Sequence, residues 1–175
     1  DVLKVWVQLN EVLLIRREEQ LPVYERLGDA RSVALTQGGI ADVLEARGQS
    51  DEALRIRREE ELPVYERLGD ERERAVTQAK IADVLEARGQ LDEALRIHRE
   101  ELVPVFERLG DVRARAVTQG RIADVLEARG ELNEVLRIRR EEQLPVFERL
   151  GDVRERALTQ ARIADVLEAR GQLGE

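Results

Sequence analysis

Neither cysteine nor methionine occurs anywhere in the 175-residue chain, and histidine and tryptophan appear once each. Without a thiol there is no disulfide scaffold, no thiolate zinc site and no cysteine nucleophile, and one imidazole cannot build a multi-histidine metal centre. Long apolar runs are missing too, since none approaches the roughly 20 residues that a membrane span needs. Aromatic residues make up 3% of the chain, and 37 acidic residues outnumber 29 basic ones. No basic patch with interleaved aromatics results, and the formal charge of -8 opposes binding to phosphate backbones. The expected partners therefore include no nucleic acid and no membrane, and no cofactor or metal is expected. What the chain has in excess is charge of both signs, 38% of its residues against about 25% in ordinary domains. The expectation is a soluble, cytoplasmic protein.

The sequence repeats with a period of 41 residues. Gly28, Gly69, Gly110 and Gly151 each precede an aspartate, and Gly48, Gly89, Gly130 and Gly171 each follow Glu-Ala-Arg. The four prolines, Pro22, Pro63, Pro104 and Pro145, keep the same spacing, as do Tyr24, Tyr65, Phe106 and Phe147. Residues 69–109 and 110–150 agree at 31 of 41 positions, so these are near-copies of one unit. The expected division is a partial repeat over 1–27, full repeats over 28–68, 69–109 and 110–150, and a partial repeat over 151–175. Asp1-Val2-Leu3 matches Asp124-Val125-Leu126, and Leu9-Asn10-Glu11-Val12 matches Leu132-Asn133-Glu134-Val135. The register thus starts and stops inside a repeat, and the chain reads as a segment of a longer protein.

Each repeat reads as two helices. Helix A is predicted from about Asp70 to Arg88, because Ala75, Gln78, Ile81, Ala82 and Leu85 fall on one stripe of a 3.6-residue spiral. Gly89 follows a basic residue where a left-handed C-terminal cap is favoured. Helix B starts near Leu91, with Asp92 and Glu93 in its first turn, and Gly110 stops it after Leu109. Strand patterns are absent. Neither helix can bury its stripe alone, so successive repeats must stack into a curved solenoid. The expected order is a frayed stub of helix A, four B and A helices in alternation, and a short tail from Gly171.

Proline inside helix B removes a hydrogen bond and clashes with the carbonyl four residues back, at a cost of about 3 kcal/mol. The sequence predicts a kink or one-residue π-bulge around Glu59 to Pro63, with a broken helix as the alternative.

The positions Gln78, Ile81, Ala82, Leu85 and Gly89, then Asp92-Glu93-Ala94-Leu95 and His98, resemble the tetratricopeptide repeat (TPR), in its long-repeat subclass of adaptor and bacterial signalling proteins. Ala82 and Ala94 carry the resemblance best, because small side chains there let the two helices approach closely. The family aromatic of helix B is replaced by Arg57, His98 or Arg139, so core volume is expected from Ile97 and Phe106. The resemblance implies an all-α, right-handed superhelix of antiparallel helix pairs. It also implies a non-catalytic scaffold that binds a peptide or helix in a concave groove lined by the A helices.

On that resemblance Asp42, Asp83, Asp124 and Asp165, with Glu45, Glu86, Glu127 and Glu168, face the groove, either as an acidic strip for a partner or as a solvated face. Gly39, Lys80, Arg121 and Arg162 differ between repeats and are candidate ligand contacts. The plainer reading pairs Lys80, Arg121 and Arg162 with Asp83, Asp124 and Asp165, three residues on. Gly38, Ala79, Gly120 and Ala161 would leave room for a ligand backbone. Gln37, Gln78, Gln119 and Gln160 put an amide in the apolar stripe, for a repeated inter-helix bond or for a peptide. The five-charge block at 57–61 and its equivalents are expected on a solvated convex back. His98 stands as a neutral substitution, and Gly38-Gly39 as a local weakening of its helix.

The two ends suggest a second function. Val2, Leu3, Val5, Trp6 and Val7 at one end, and Ile163, Ala164, Val166 and Leu167 at the other, lack covering helices. Head-to-tail self-association through Trp6, Ile163 and Leu167 would build an open assembly. Trp6 and Val7, replacing Arg129 and Gly130 of the equivalent turn, could instead form a cap or a domain junction.

Overall fold

The computed structural model describes residues 2–172, with Val2 and Gln172 described by backbone only. Eight helices account for nearly all of them. Helices α2 (Ala30–Ala46), α4 (Glu71–Ala87), α6 (Val112–Ala128) and α8 (Val153–Gln172) are regular A helices. The B helices α1, α3, α5 and α7 (2–27, 50–68, 91–108 and 132–150) are composite, each an α segment, a π turn and a second α segment. The chain forms two compact halves, 1–84 and 85–175, each described here by itself.

The glycines and aspartates punctuate the helices for a local reason. Gly69 adopts φ 65° after α3, a left-handed conformation that costs a residue without Cβ little. Asp70 then caps α4 by accepting the Glu73 N–H at 3.1 Å, and Asp111 caps α6 through Ala114 N–H at 2.9 Å. Side-chain oxygens satisfy one of the orphan donors that every helix start leaves.

The π turns lie at Ile15–Gln20, Arg57–Glu61, Ile97–Leu102 and Ile138–Gln143. In each, the amide just before proline bonds five residues back: Leu62 to Arg57, Val103 to His98, Leu144 to Arg139 and Leu21 to Arg16. Widening the turn relieves the clash between the proline ring and the carbonyl of residue i−4, and proline becomes an early residue of the next α segment, where its missing N–H costs little. The helix bulges without breaking.

Two expectations at the ends fail. Helix α1 runs without a turn through Trp6 and Val7, because Val7 occupies the position of Gly130 and removes the left-handed stop. Helix α8 continues through Gly171 to Gln172, so no tail begins there; residues 173–175 lie outside the described residues.

Within the N-terminal half, Leu13, Ile40, Ala41, Val43, Leu44, Ala53 and Ile56 form one apolar cluster, and Ala34, Val64 and Tyr65 a second. Within the C-terminal half the same positions recur: Ile122, Ala123, Leu126, Val135 and Ile138 in the first, Ala116, Val146 and Phe147 in the second. Along helix B the π turn falls between the two clusters. It buries two polar residues in each of two helices, Arg57 and Glu61 in α3 and Arg139 and Gln143 in α7.

Candidate functional site

The buried polar belt is the most unusual chemistry in the fold. Arg57 is fully buried, which contradicts a solvated back for the 57–61 block. The π turn rotates Arg57 and Glu61 inward, so only part of that block faces water. Burying a guanidinium is costly unless every charge is met, and here it is met three times. Arg57 Nη2 donates to Asp42 Oδ1 and, at 2.7 Å, to Glu45 Oε2, while Nη1 donates to Glu61 Oε2 at 3.3 Å. The family's aromatic position therefore holds an ion-pair network in α3; in α5, Ile97 and Phe106 are buried as expected.

The electrostatics follow. Burial works against the Arg57 charge, but the bonds to Glu45 and Asp42 outweigh it and raise its pKa. Burial alone would raise the Asp42 carboxyl; hydrogen bonds from Lys80 and Arg57 hold it below the usual range instead. Glu61 moves up, because burial outweighs the attraction of Arg57 and the Thr77 hydrogen bond.

The C-terminal half repeats the arrangement with one change. Arg139 Nη2 donates to Asp124 Oδ1 at 2.6 Å and to Glu127 Oε2 at 3.4 Å, but its third partner is the neutral Gln143, at 3.5 Å. In α5 the belt holds His98, 2% exposed, whose Nε2 lies 2.7 Å from Glu86 Oε1. His98 is thus a core residue.

Groove candidates fall into place around this belt. Asp42 takes Lys80 Nζ at 2.8 Å in addition to Arg57, and Asp124 takes Arg162 Nη1 at 2.6 Å. Lys80 and Arg162 thus reach the preceding A helix, so each of these bridges staples two repeats. Asp83 and Arg121 are engaged as well. Asp42, Glu45, Asp124 and Glu127 each accept from a buried arginine. Asp165 and Glu168 lie exposed on α8.

The small residues also have an internal use. A methyl on Gly38 would lie 2.5 Å from Glu61 Oε1, and one on Gly120 would lie 2.3 Å from Gln143 Nε2. Arg16 occupies the space above Gly39 in the same way. These positions make room for the chain's own polar side chains, not for a ligand backbone. Of the stripe glutamines, Gln37 and Gln78 are buried, while Gln119 is half-buried and Gln160 exposed.

Thr36, Thr118 and Thr159 each donate to the carbonyl four residues back in their own helix, at 2.8 to 2.9 Å. Thr77 instead donates to Glu61 Oε1 at 3.0 Å, joining α4 to α3. In the C-terminal half a cleft of about 290 Å³ opens among Val117, Gly120, Asp124, Gln143, Leu158, Thr159 and Arg162. A smaller one, about 180 Å³, lies at the matching positions Arg16, Gln20, Ser32, Leu35 and Thr36. Sequence reasoning missed this belt, although an arginine 15 residues after an aspartate in two of the three full repeats, with His98 in the third, was the signal.

At the ends, Trp6 is 45% exposed and carries the Arg47 guanidinium 4.9 Å above its ring, a cation–π contact. Leu167 is exposed, whereas Ile163 packs partly against the C-terminal core. No helix among the described residues is long and apolar enough to cross a membrane.

No family model matches the chain, and no curated protein does. Among solved structures it is similar to the nearly identical TPR-like repeats of a candidate kinesin light chain from Podosopora anserina, with a TM-score of 0.66 at 19% identity over 97% of this chain and 88% of that one. A single-substitution variant of those repeats gives the same score and identity over 97% and 87%. The likeness establishes the fold: the chain is an all-α, TPR-like repeat array.

Proposed function

We propose that the chain is a non-catalytic protein-interaction scaffold that binds an extended peptide or a helix along the face formed by its A helices. The observation that supports this most is the C-terminal cleft, where exposed aliphatic side chains of α6 and α8 flank a polar floor. Interfaces combine such apolar anchors with placed polar groups. Among TPR-like arrays, the 41-residue period suits the long-repeat adaptor and signalling subclass. The cations Lys80, Arg121 and Arg162 serve as contacts along the groove.

Peptide display against the immobilised chain tests the reading. Selected peptides should lose binding to a triple variant, Lys80→Ala with Arg121→Ala and Arg162→Ala, while solution mass is unchanged. Retention of binding would overturn the groove assignment.

A second reading is head-to-tail assembly, favoured by Leu3, Val5, Trp6 and Val7 on α1 and Leu167 on α8, all more than two-fifths exposed. Light scattering across a wide concentration range separates the two. Assembly requires a rising mass that falls back when Trp6 or Leu167 becomes aspartate; a constant mass leaves the binder.

A further inference from the structure

Helices α1 and α7 carry nearly the same sequence: Leu9-Asn10-Glu11-Val12-Leu13 matches Leu132-Asn133-Glu134-Val135-Leu136, and Ile15-Arg16 matches Ile138-Arg139. Their surroundings differ on one side. In α7, Val135 and Ile138 are buried with Ile122, Ala123 and Leu126 of α6, and Arg139 is buried as well. In α1 the matching Val12 is 37% exposed, and Ile15 and Arg16 are only half-buried. The cause is a missing turn. Gly130 turns the chain so that α7 folds back on α6, but Val7 stands at the glycine position and α1 runs straight. Lys4 also stands where Glu127 does, so this repeat lacks one carboxylate of the pair that meets Arg139.

Helix α8 presents the opposite half of the same contact. Its segment Ile163-Ala164-Asp165-Val166-Leu167-Glu168 repeats Ile122-Ala123-Asp124-Val125-Leu126-Glu127 of α6. Ala123 and Leu126 have no exposed surface, whereas Ala164 is exposed and Leu167 is 41% exposed. Helix α8 runs on through Gly171 instead of turning there, so among the described residues no B helix folds back over it. Asp165 and Glu168 stand in solvent, at the places of the two carboxylates that Arg139 bonds at 2.6 and 3.4 Å.

Resting on the assembly reading above, we infer that α1 of a second copy docks on α8 as α7 docks on α6. Val12 and Ile15 of one copy cover Ala164 and Leu167 of the other, and Arg16 reaches Asp165 and Glu168. The contact is heterologous, since it joins two different faces. Apolar burial supplies the attraction. The arginine sets the register, because a slip of one helical turn, about 5.4 Å, carries the guanidinium away from both carboxylates. Beneath the docked helix Ala161 replaces Gly120; its methyl meets the end of Gln20, an exposed side chain that can turn aside.

Sedimentation equilibrium of the whole chain tests the pairing. Wild-type mass should rise with concentration. Val12→Asp blocks the α1 face and Leu167→Asp the α8 face, both at exposed sites, so each variant alone should stay at 20.0 kDa. Mixed together, they should form a dimer and nothing larger, because each keeps the face that the other has lost. Arg16→Ala, which buries no new charge, should raise the midpoint concentration of association about tenfold, the scale of one charge-assisted hydrogen bond. A mixture that stays monomeric, a Val12→Asp protein that associates like wild type, or an unmoved midpoint in Arg16→Ala overturns this pairing while a rising wild-type mass keeps the assembly reading. A constant wild-type mass removes both.

Discussion

Gly38 faces Glu61 so closely that a methyl group on the glycine would lie 2.5 Å from Glu61 Oε1. Glu61 cannot step aside, because Arg57 and Thr77 hold its two oxygens. Gly38→Ala should therefore destabilise the chain by about 1–3 kcal/mol through overpacking, despite the helix-propensity gain of about 1 kcal/mol. At Gly39 the obstructing atom is the guanidinium end of Arg16, which is half-buried and can swing away. Gly39→Ala should be neutral or slightly stabilising. Urea denaturation of the two variants reads the opposite signs.

The buried arginine gives the second prediction. Arg57→Ala leaves Glu61 buried and without its counter-charge and should cost about 3–5 kcal/mol. The α5 belt shows a different solution at the same places, His98 with Leu102. Arg57→His combined with Glu61→Leu should recover much of the loss that Arg57→His causes alone. A double-mutant cycle measures the coupling; additivity of the two changes would show that Arg57 and Glu61 do not act as a pair.

Deleting Glu59, an exposed residue of the π turn, would convert that turn to an ordinary α turn. Everything on the N-terminal side would rotate about 100° relative to Pro63, and Arg57 would leave its carboxylates. The expected loss is again about 3–5 kcal/mol, far more than Glu59→Ala costs. Thermal melts of the two variants make the comparison.

Acid should unfold the chain with a definite sign. Asp42 sits below the usual carboxyl range for the reasons given above, and Asp70 because of the Glu73 backbone bond, with Arg31 adding to it. Their folded state binds fewer protons than the unfolded one, so they contribute stability above the ordinary carboxyl range of about pH 4 and lose it as pH falls through their folded pKa. Glu61 has the opposite sign: its raised pKa contributes stability at low pH that is lost as pH rises through it. The Tm gap between wild type and Glu61→Gln should shift in favour of wild type on going from neutral pH to about pH 5. A gap independent of pH would mean that Glu61 does not titrate between those conditions.

The period, the helix pairs, the glycine and aspartate punctuation and the proline bulge were legible because each is enforced within a few residues by backbone sterics or capping. The uninterrupted α1 was legible in principle, since Val7 stands where Gly130 makes its turn. The belt was hidden by composition: Arg-Arg-Glu-Glu-Glu reads as surface until the extra π residue turns its first and last members inward. The bridges between repeats were not legible, because sequence spacing reports neighbours on one helix, whereas Lys80 and Arg162 also reach carboxylates on the helix before.

Near-identical repeats give the folding chain more than one apparent solution. Arg57 and Arg139 sit on equivalent Asp-Glu pairs 82 residues apart in the sequence, so either B helix could dock on the other's A helix with most of its contacts intact, a misassembly typical of repeat proteins. The α5 helix breaks the degeneracy. His98 meets Glu86 through one ring nitrogen, whereas Arg57 and Arg139 each bond both members of their acidic pair, so a chain slipped by one repeat exchanges a two-armed contact for a one-armed one. The histidine repeat acts as a register mark in a text that is otherwise copied.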